Sequence, residues 1–307
     1  MRKLSEYIGI IKKKGLRHSL NEGWCLVQRF HWIGDKNALD IYRENKIYIY
    51  MKKYKYVLSR KDEVRESNTI YSNVIWICWL QGIENAPNLV KRCIESVRKH
   101  HPEKEIIIIN SENIRQYVNF PDHIWKKYDK GYIWHAHFSD LLRLALLTTH
   151  GGIWMDATVF LSAPIPKHIL NSQLFCFKSS YLSKSALKLS NWFIVSESNN
   201  YILLKTQEML YEFWRKENFV RHYFIFHATL SYIIAHDEKA KQLWAEIPYF
   251  CNDSPHVLQY ELFTNYAEER YKEICAFSSI HKLTYKFKNL QDSSQDSYLR
   301  RLLEGVL

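Results

Sequence analysis

The stretch that decides the fold is Gly151-Gly152-Ile153-Trp154-Met155-Asp156-Ala157-Thr158-Val159-Phe160-Leu161. Two glycines end a helical run, and a short apolar strand follows whose single carboxylate, Asp156, has no opposite charge beside it in the sequence. A carboxylate is costly to bury alone, so it needs a cation, a hydrogen-bond network or an exposed strand end. Because ligands bind outside the carboxyl ends of strands in open α/β sheets, Asp156 indicates either a ligand site or a solvated turn.

The residues before this strand, 138–147, predict a helix that carries a polar pair. Leu, Ala and Arg favour a helix, and Gly151 fits the position just past its end. Asp140 and Arg143 are three residues apart, which places them on one helix face. They form either a surface ion pair that contributes little stability or a polar pair aimed at a hydroxyl-rich ligand beside Asp156.

Ser139-Asp140, Arg143 and the run from Gly151 to Asp156 together resemble the signature of the DXD-type glycosyltransferases with the GT-A fold. The greatest similarity is to the capsular polysaccharide synthesis glycosyltransferase family, which is related to the family 32 mannosyl- and galactosyltransferases. The wider superfamily has a second Asp two residues after the first. This chain has Thr158 there, and Asp-Ala-Thr is common in the capsular branch.

The resemblance implies a Rossmann-like, nucleotide-sugar-binding α/β domain and a set of donor contacts. Trp79 matches the aromatic residue that stacks on the nucleotide base. The alternative is a core aromatic, and the resemblance favours base stacking. Gly82 would let the backbone approach the ligand closely. Asp140 and Arg143 match the residues that hold the donor sugar, and we assign both to catalysis.

The resemblance also implies a metal and diphosphate site. Asp156 offers a hard oxygen ligand for Mn²⁺ or Mg²⁺, Thr158 offers a hydroxyl, and His281 matches a C-terminal residue that closes the metal site. Lys282 and Lys286 match diphosphate-binding residues, and such cations would offset charge on a leaving diphosphate. The alternative for this C-terminal stretch is a basic turn on the surface.

The function implied is transfer of a hexose from a nucleotide-diphosphate sugar, such as a UDP-sugar, to a polysaccharide repeat unit in bacterial capsule assembly. The implied acceptor is a lipid-linked glycan at the inner face of the membrane. No residue in the sequence stands out as a general base, which fits the retaining mechanism that the resemblance to related families implies. The open alternative is a membrane-associated scaffold with a degenerate metal site, since Thr158 replaces an acid.

Two apolar runs predict the start of an α/β sheet. Residues 74–79 and 106–109 are continuous apolar runs of strand length, and Pro87 suits the first turn of a helix between them. Strand, helix and strand within about 40 residues form a parallel unit. Further strands are expected near 174–177 and 191–196.

The composition excludes several classes of protein. The chain has 307 residues, 47% of them hydrophobic, which indicates a folded globule. Its six cysteines show no C-x-x-C pair, as in a reducing cytosol. No apolar run has the eighteen or so residues needed to cross a bilayer. We therefore expect a cytoplasmic protein that is soluble or peripheral on the membrane.

The positive charge is concentrated at one end. Residues 1–60 hold fourteen Lys and Arg against five Asp and Glu, a net +9 of the total +11. With Trp24, Phe30 and Trp32 nearby, this indicates an anionic membrane surface, an acidic partner or a solvated helical face. The clustered tyrosines at 48–56 could instead pack a helix onto the main domain. No nucleic-acid signature accompanies the charge, so we expect no nucleic-acid partner.

The resulting domain prediction has three parts. Residues 1–70 form a basic helical N-terminal segment, residues 71–290 form the GT-A domain, and residues 291–307 form a loop and a terminal helix.

Overall fold

The computed structural model describes residues 36–60, 73–287 and 296–307, and a mixed sheet lies at its centre. The strands are β1 (Val74–Cys78), β2 (Glu105–Ile109), β3 (Gly152–Asp156), β4 (Val159–Leu161), β5 (Leu174–Lys178), β6 (Leu189–Ser196) and β7 (Ile280–Lys282). Within the described ranges, the central sheet has the order β2-β1-β3-β6-β5, and β4 pairs with β7 in a separate small sheet. β1 is parallel to β2 and β3, while β6 is antiparallel to β3 and β5. The predicted α/β class is confirmed.

The helices surround this sheet. They are α1 (Lys36–Tyr50), α2 (Asn88–His100), α3 (Ile114–Tyr117), α4 (Asp122–Asp129), α5 (His135–His150), α6 (Lys167–Leu170), α7 (Tyr201–Lys216), α8 (Ile225–His236), α9 (Glu238–Glu246), α10 (Val257–Glu261), α11 (Glu268–Phe277) and α12 (Tyr298–Glu304). Short 3-10 helices cover Met51–Val57, Ile83–Asn85 and Ser254–His256. No helix in the described ranges has both the length and the apolar character needed to cross a bilayer.

Alternating side chains of the strands build a core on each face of the central sheet. Trp76 and Trp154 pack with α5, α7 and α8 on one face. Ile75, Ile77 and Met155 pack with α2 on the other. Strands that face a core on both sides need continuous apolar runs. The runs at 74–79 and 106–109 correctly predicted β1, which is buried, and the edge strand β2, which is half-buried.

The two glycines that follow α5 turn the chain into β3. Gly151 has φ 67° and Gly152 has φ 101°, a region that side-chain-bearing residues rarely adopt. The amide of Gly151 donates to the carbonyl of Leu147 at 3.0 Å, which caps the helix. β3 then ends at Asp156 and β4 leaves the central sheet, so the decisive stretch supplies two strands instead of one.

The small sheet returns a distant part of the chain to the end of β3. Val159 pairs with Lys282, Phe160 with His281 and Leu161 with Ile280. Directly opposed residues of antiparallel strands share a face, and successive residues alternate between faces. His281 and Lys282 therefore point to opposite sides of this sheet.

The described part of the N-terminal segment packs into the main core. Met51, Tyr54 and Val57 are fully buried and belong to the same hydrophobic cluster as Trp76 and Trp154. At Tyr54, the clustered tyrosines thus pack the segment onto the main domain, which was the second of the two interpretations of the sequence. The predicted boundary near residue 70 lies among residues 61–72, and the basic residues before Lys36 likewise lie outside the described ranges.

The described C-terminal residues include one helix. α12 is the expected terminal helix. The loop before it lies mostly within residues 288–295, outside the described ranges.

We predict that Tyr54 is needed for stability. Its ring lies 5.7 Å from that of Phe213, and its hydroxyl donates to Glu217 Oε1 at 3.0 Å. Tyr54→Ala should lower the free energy of unfolding by about 3 kcal/mol, as for other buried aromatic residues. Urea denaturation measures this, and Lys52→Ala, at an exposed neighbouring position, should stay within about 0.5 kcal/mol of wild type. Equal unfolding midpoints for both variants would contradict the packing.

Candidate active site

A cavity of about 480 Å³ opens at the carboxyl ends of β1 and β3. This is where open α/β sheets place their ligands. The lining residues are Cys78, Trp79, Ala136, Ser139, Asp140, Arg143, Trp154, Asp156, Ala157, Thr158, Asn191, Tyr223, His227, His256, Gln259, Lys282, Leu283, Thr284, Tyr285 and Lys286. The cavity therefore brings together most of the residues that the sequence predicted for a site.

Arg143 joins two carboxylates at the base of this cavity. Its Nη1 donates to Asp140 Oδ1 at 2.8 Å, and its Nη2 lies 3.4 Å from Asp156 Oδ1. Arg143 is 4% exposed and Asp140 8%, so the alternative of a surface ion pair is wrong. The buried guanidinium offsets the charge of the lone carboxylate at the end of β3, which would otherwise be costly to bury.

Two aromatic rings hold the guanidinium in place. Arg143 Cζ lies 5.0 Å from the ring centroid of Trp154 and 5.7 Å from that of Phe226, both within cation–π range. The indole of Trp154 also donates to Asp156 Oδ1 at 3.1 Å. Arg143 Nε is buried and has no hydrogen-bond partner among the described residues.

Asn191 completes this network and was missed in the sequence. Its Nδ2 donates to Asp140 Oδ1 at 2.8 Å, and His137 Nδ1 lies 3.6 Å from the other oxygen of that carboxylate. The signal that could have identified Asn191 is a polar residue inside the apolar strand 191–195, because a buried amide needs a partner.

Lys282 faces the Asp156 oxygen that Arg143 does not contact. Its Nζ donates to Thr158 Oγ1 at 2.6 Å and lies 3.6 Å from Asp156 Oδ2. The amide of Leu283 donates to the carbonyl of Thr158 at 2.9 Å, so the register of the small sheet sets this contact. Lys286 also lines the cavity and is exposed.

Trp79 lies at the cavity wall, as the base-stacking prediction requires. Its ring meets Tyr285 edge-on at 5.4 Å, and its Nε1 is buried without a partner among the described residues. Gly82 does not line the cavity. Its φ of +79° gives a backbone reason for glycine there.

His281 does not line the cavity either. Its ring is fully buried, and its Nε2 lies 2.9 Å from Ser162 Oγ. Burial lowers the pKa of His281 to about 4. Because His281 and Lys282 are consecutive strand residues, the strand that directs the lysine into the cavity directs the histidine away from it.

The side chains present do not fit the predicted Mn²⁺ or Mg²⁺ ion. Within the described ranges, His, Cys, Asp and Glu form no group of three or more that could hold a metal. Both oxygens of Asp156 already face cations, and the hydroxyl of Thr158 accepts a bond from Lys282. His281, the third predicted ligand, faces away.

The cavity carries a net positive charge. Arg143, Lys282 and Lys286 outnumber Asp140 and Asp156 among its lining residues. The lining histidines add no charge near neutral pH, because burial lowers the pKa of His227 to about 4 and also lowers that of His256. The arrangement suits an anion whose other end carries hydroxyl groups.

Comparison with known proteins identifies the family. The sequence profile of the capsular polysaccharide synthesis protein family matches residues 28–302. The chain belongs to this family. The match confirms the resemblance that the two motifs around Asp140 and Asp156 indicated.

Two individual proteins resemble this member of the capsular polysaccharide synthesis family only in part or at low sequence identity. The O-glycosyltransferase braB of Annulohypoxylon truncatum is 33% identical over 96 residues, which are 28% of this chain and 23% of that protein. The chain thus matches about a quarter of the length of this curated relative. A solved structure of the PaToxG glycosyltransferase is 16% identical, with a TM-score of 0.38 over 87% of this chain and 98% of that chain.

We predict that removing the buried cation destabilises the protein. Arg143→Met leaves Asp140 buried without its ion-pair partner, which typically costs about 3–5 kcal/mol of unfolding free energy. Adding Asp140→Asn to this variant should recover part of the loss, because neighbouring sites are coupled. Urea denaturation compares both with Arg98→Met, a matched change at an exposed position. An Arg143→Met protein as stable as this control would refute the assignment.

Proposed function

We propose that the chain is a glycosyltransferase that moves a hexose from a nucleotide-diphosphate sugar, a UDP-sugar, to a growing polysaccharide repeat unit in capsule synthesis. The observation that carries this proposal is the pair of carboxylates bridged by Arg143 at the carboxyl ends of β1 and β3, in a chain of this family. A cationic cavity with fixed carboxylates and an aromatic wall provides features for the base, the diphosphate and the sugar of a sugar nucleotide.

The base, the diphosphate and the sugar of the donor each have a matching surface in the cavity. Trp79 offers a stacking plane for the base, with an unsatisfied indole N–H. Lys282 and Lys286 offer cations to the diphosphate. Asp140 and Arg143 lie deeper. Asp140 accepts bonds from Arg143 and Asn191, so the pair is positioned to bind hydroxyl groups of the donor sugar. Fixed groups of this kind bind a transition state without reorganising.

The transfer exchanges one C–O bond for another. The bond from the anomeric carbon to the diphosphate oxygen breaks and its electron pair stays on that oxygen, while the acceptor oxygen bonds to the anomeric carbon. We propose that the acceptor proton passes to the leaving diphosphate and that configuration is retained. In support, both lining carboxylates are paired with cations, and the low pKa of His227, about 4, makes it a weak base at neutral pH.

We place the acceptor in a second cavity that shares Tyr223 with the first. This cavity has a volume of about 330 Å³, and its lining includes Trp134, Asp40, Arg43 and Glu44. Trp134 and Tyr223 are exposed large aromatic side chains, which offer apolar planes with a polar edge, and the charged groups suit sugar hydroxyls. The proposed acceptor is a lipid-linked glycan at the cytoplasmic face of the cell membrane.

The proposed activity predicts turnover that depends on the geometry of Arg143. Slow hydrolysis of one member of a sugar-nucleotide panel should be measurable with the wild-type chain. Arg143→Lys keeps the charge but loses the planar fork, so turnover should fall by about a hundredfold, a typical effect of misplacing bound groups. Binding of free UDP, measured by calorimetry, should persist, and Arg98→Lys should behave as wild type.

The competing function is a membrane-associated scaffold with a degenerate site, favoured by the single carboxylate of the Asp156-Ala157-Thr158 motif. A scaffold predicts neither hydrolysis nor calorimetric binding of any sugar nucleotide in the panel. That result would refute the enzymatic proposal.

We also propose that the basic N-terminal segment keeps the protein at an anionic membrane surface. Each basic residue near such a surface contributes about 1 kcal/mol, screened over a Debye length of about 8 Å. Sedimentation should show binding to anionic vesicles that falls steeply as salt rises, and little binding to neutral vesicles. Changing Lys12, Lys13, Lys14 and Arg17 to Gln should remove much of this binding and leave sugar-nucleotide hydrolysis intact. Wild-type protein that ignores anionic vesicles at low salt would refute the role.

A further inference from the structure

The small sheet places an ammonium group where the predicted metal ion would lie. A dication bound by Asp156 and Thr158 would have to lie between the carboxylate and the hydroxyl. Lys282 Nζ occupies this place, 2.6 Å from Thr158 Oγ1 and 3.6 Å from Asp156 Oδ2. A metal ion here would have to displace the lysine or lie beside a like charge.

Each oxygen of the Asp156 carboxylate also faces a cationic side chain. Asp156 Oδ1 faces Arg143 Nη2 at 3.4 Å, and Oδ2 faces Lys282. Mg²⁺ can bind through a single carboxylate when substrate phosphates supply further oxygens, so the count of carboxylates alone would not decide the question. The deciding observation is that Arg143 and Lys282 already balance the charge of Asp156.

The ammonium is held in place before any ligand arrives. The backbone bond from Leu283 to Thr158, 2.9 Å long, and the pairing of Val159 with Lys282 fix the strand that carries it. The Lys282 side chain is 19% exposed, so it keeps one side open to the cavity. A cation fixed in this way can stabilise developing negative charge without reorganisation.

We propose that Lys282 replaces the divalent metal ion: its ammonium binds the diphosphate of the donor, and neither binding nor transfer requires Mn²⁺ or Mg²⁺. This inference rests on the proposed glycosyltransferase function. As the bond from the anomeric carbon breaks, the diphosphate oxygen gains an electron pair and then the acceptor proton. Lys282 keeps its own proton throughout and acts by charge and hydrogen bonding. Asp156 and Thr158 act as positioning residues for the ammonium.

Calorimetry with UDP tests the role of the ammonium. The full-length wild-type chain should bind UDP with the same Kd in EDTA and in excess Mn²⁺. Lys282→Met should weaken binding by about tenfold to a hundredfold, as expected for the loss of one charge-assisted hydrogen bond. Lys99→Met, the same change at an exposed lysine on α2, should leave Kd unchanged. Melting temperatures of the variants report whether the fold is retained.

A second measurement tests whether the Lys282 ammonium occupies the place of a metal ion. If Lys282 occupies the place of a metal, then Lys282→Ala combined with Thr158→Asp should open that place and supply a second carboxylate. This double variant should remove Mn²⁺ from solution, as followed by the electron paramagnetic resonance signal of the free ion. Wild type and the single variant Thr158→Asp should not, because the ammonium remains in both.

The outcomes separate this inference from the proposed function. UDP binding by wild type that requires Mn²⁺ would overturn the inference and leave the glycosyltransferase proposal standing. Unweakened binding by a folded Lys282→Met protein would also overturn it. Failure of wild type to bind UDP or any sugar nucleotide, with or without Mn²⁺, would overturn both.

Discussion

The buried guanidinium of Arg143 is the constraint on which the rest of the site depends. It pairs with Asp140 from its own helix and with Asp156 from β3, and two aromatic rings cover it. A buried cation is tolerated only when it is well paired, so each carboxylate must be held near it. Asn191 from β6 helps hold Asp140. One charge thereby couples a helix and two strands of the central sheet.

The second organising element is the small antiparallel sheet. Although β4 and β7 have only three residues each, their pairing brings Lys282 to Thr158 across 124 positions of the chain. The same segment places Tyr285 against Trp79. The C-terminal part of the chain thus closes a cavity whose base belongs to the central sheet, and it supplies the excess of positive charge there.

The net charge of +11 is distributed unevenly along the chain. In the cavity, three cations face two carboxylates, and burial keeps the histidines neutral. This small, fixed excess suits a compact anion such as a diphosphate. Most of the remaining charge lies in residues 1–60. In the described part of that segment, Lys53 and Tyr54 donate to Glu217, which follows α7, and Tyr56 donates to Glu212 on α7, which ties the segment to the domain.

The sequence alone determined the α/β class, the strands around residues 76 and 107, the glycine turn into β3 and the family, because these follow from local periodicity and short motifs. It also identified Asp140, Arg143, Asp156 and the basic C-terminal stretch as candidates for one site. Only the tertiary structure decided which side chains contact Asp140 and Asp156. The register of β7 directs Lys282, and not His281, into the cavity. The position of Asn191 on the buried strand β6 lets it bond to Asp140. Such choices depend on long-range pairing, in which a shift of one residue exchanges the faces of a strand, and no local pattern encodes that shift.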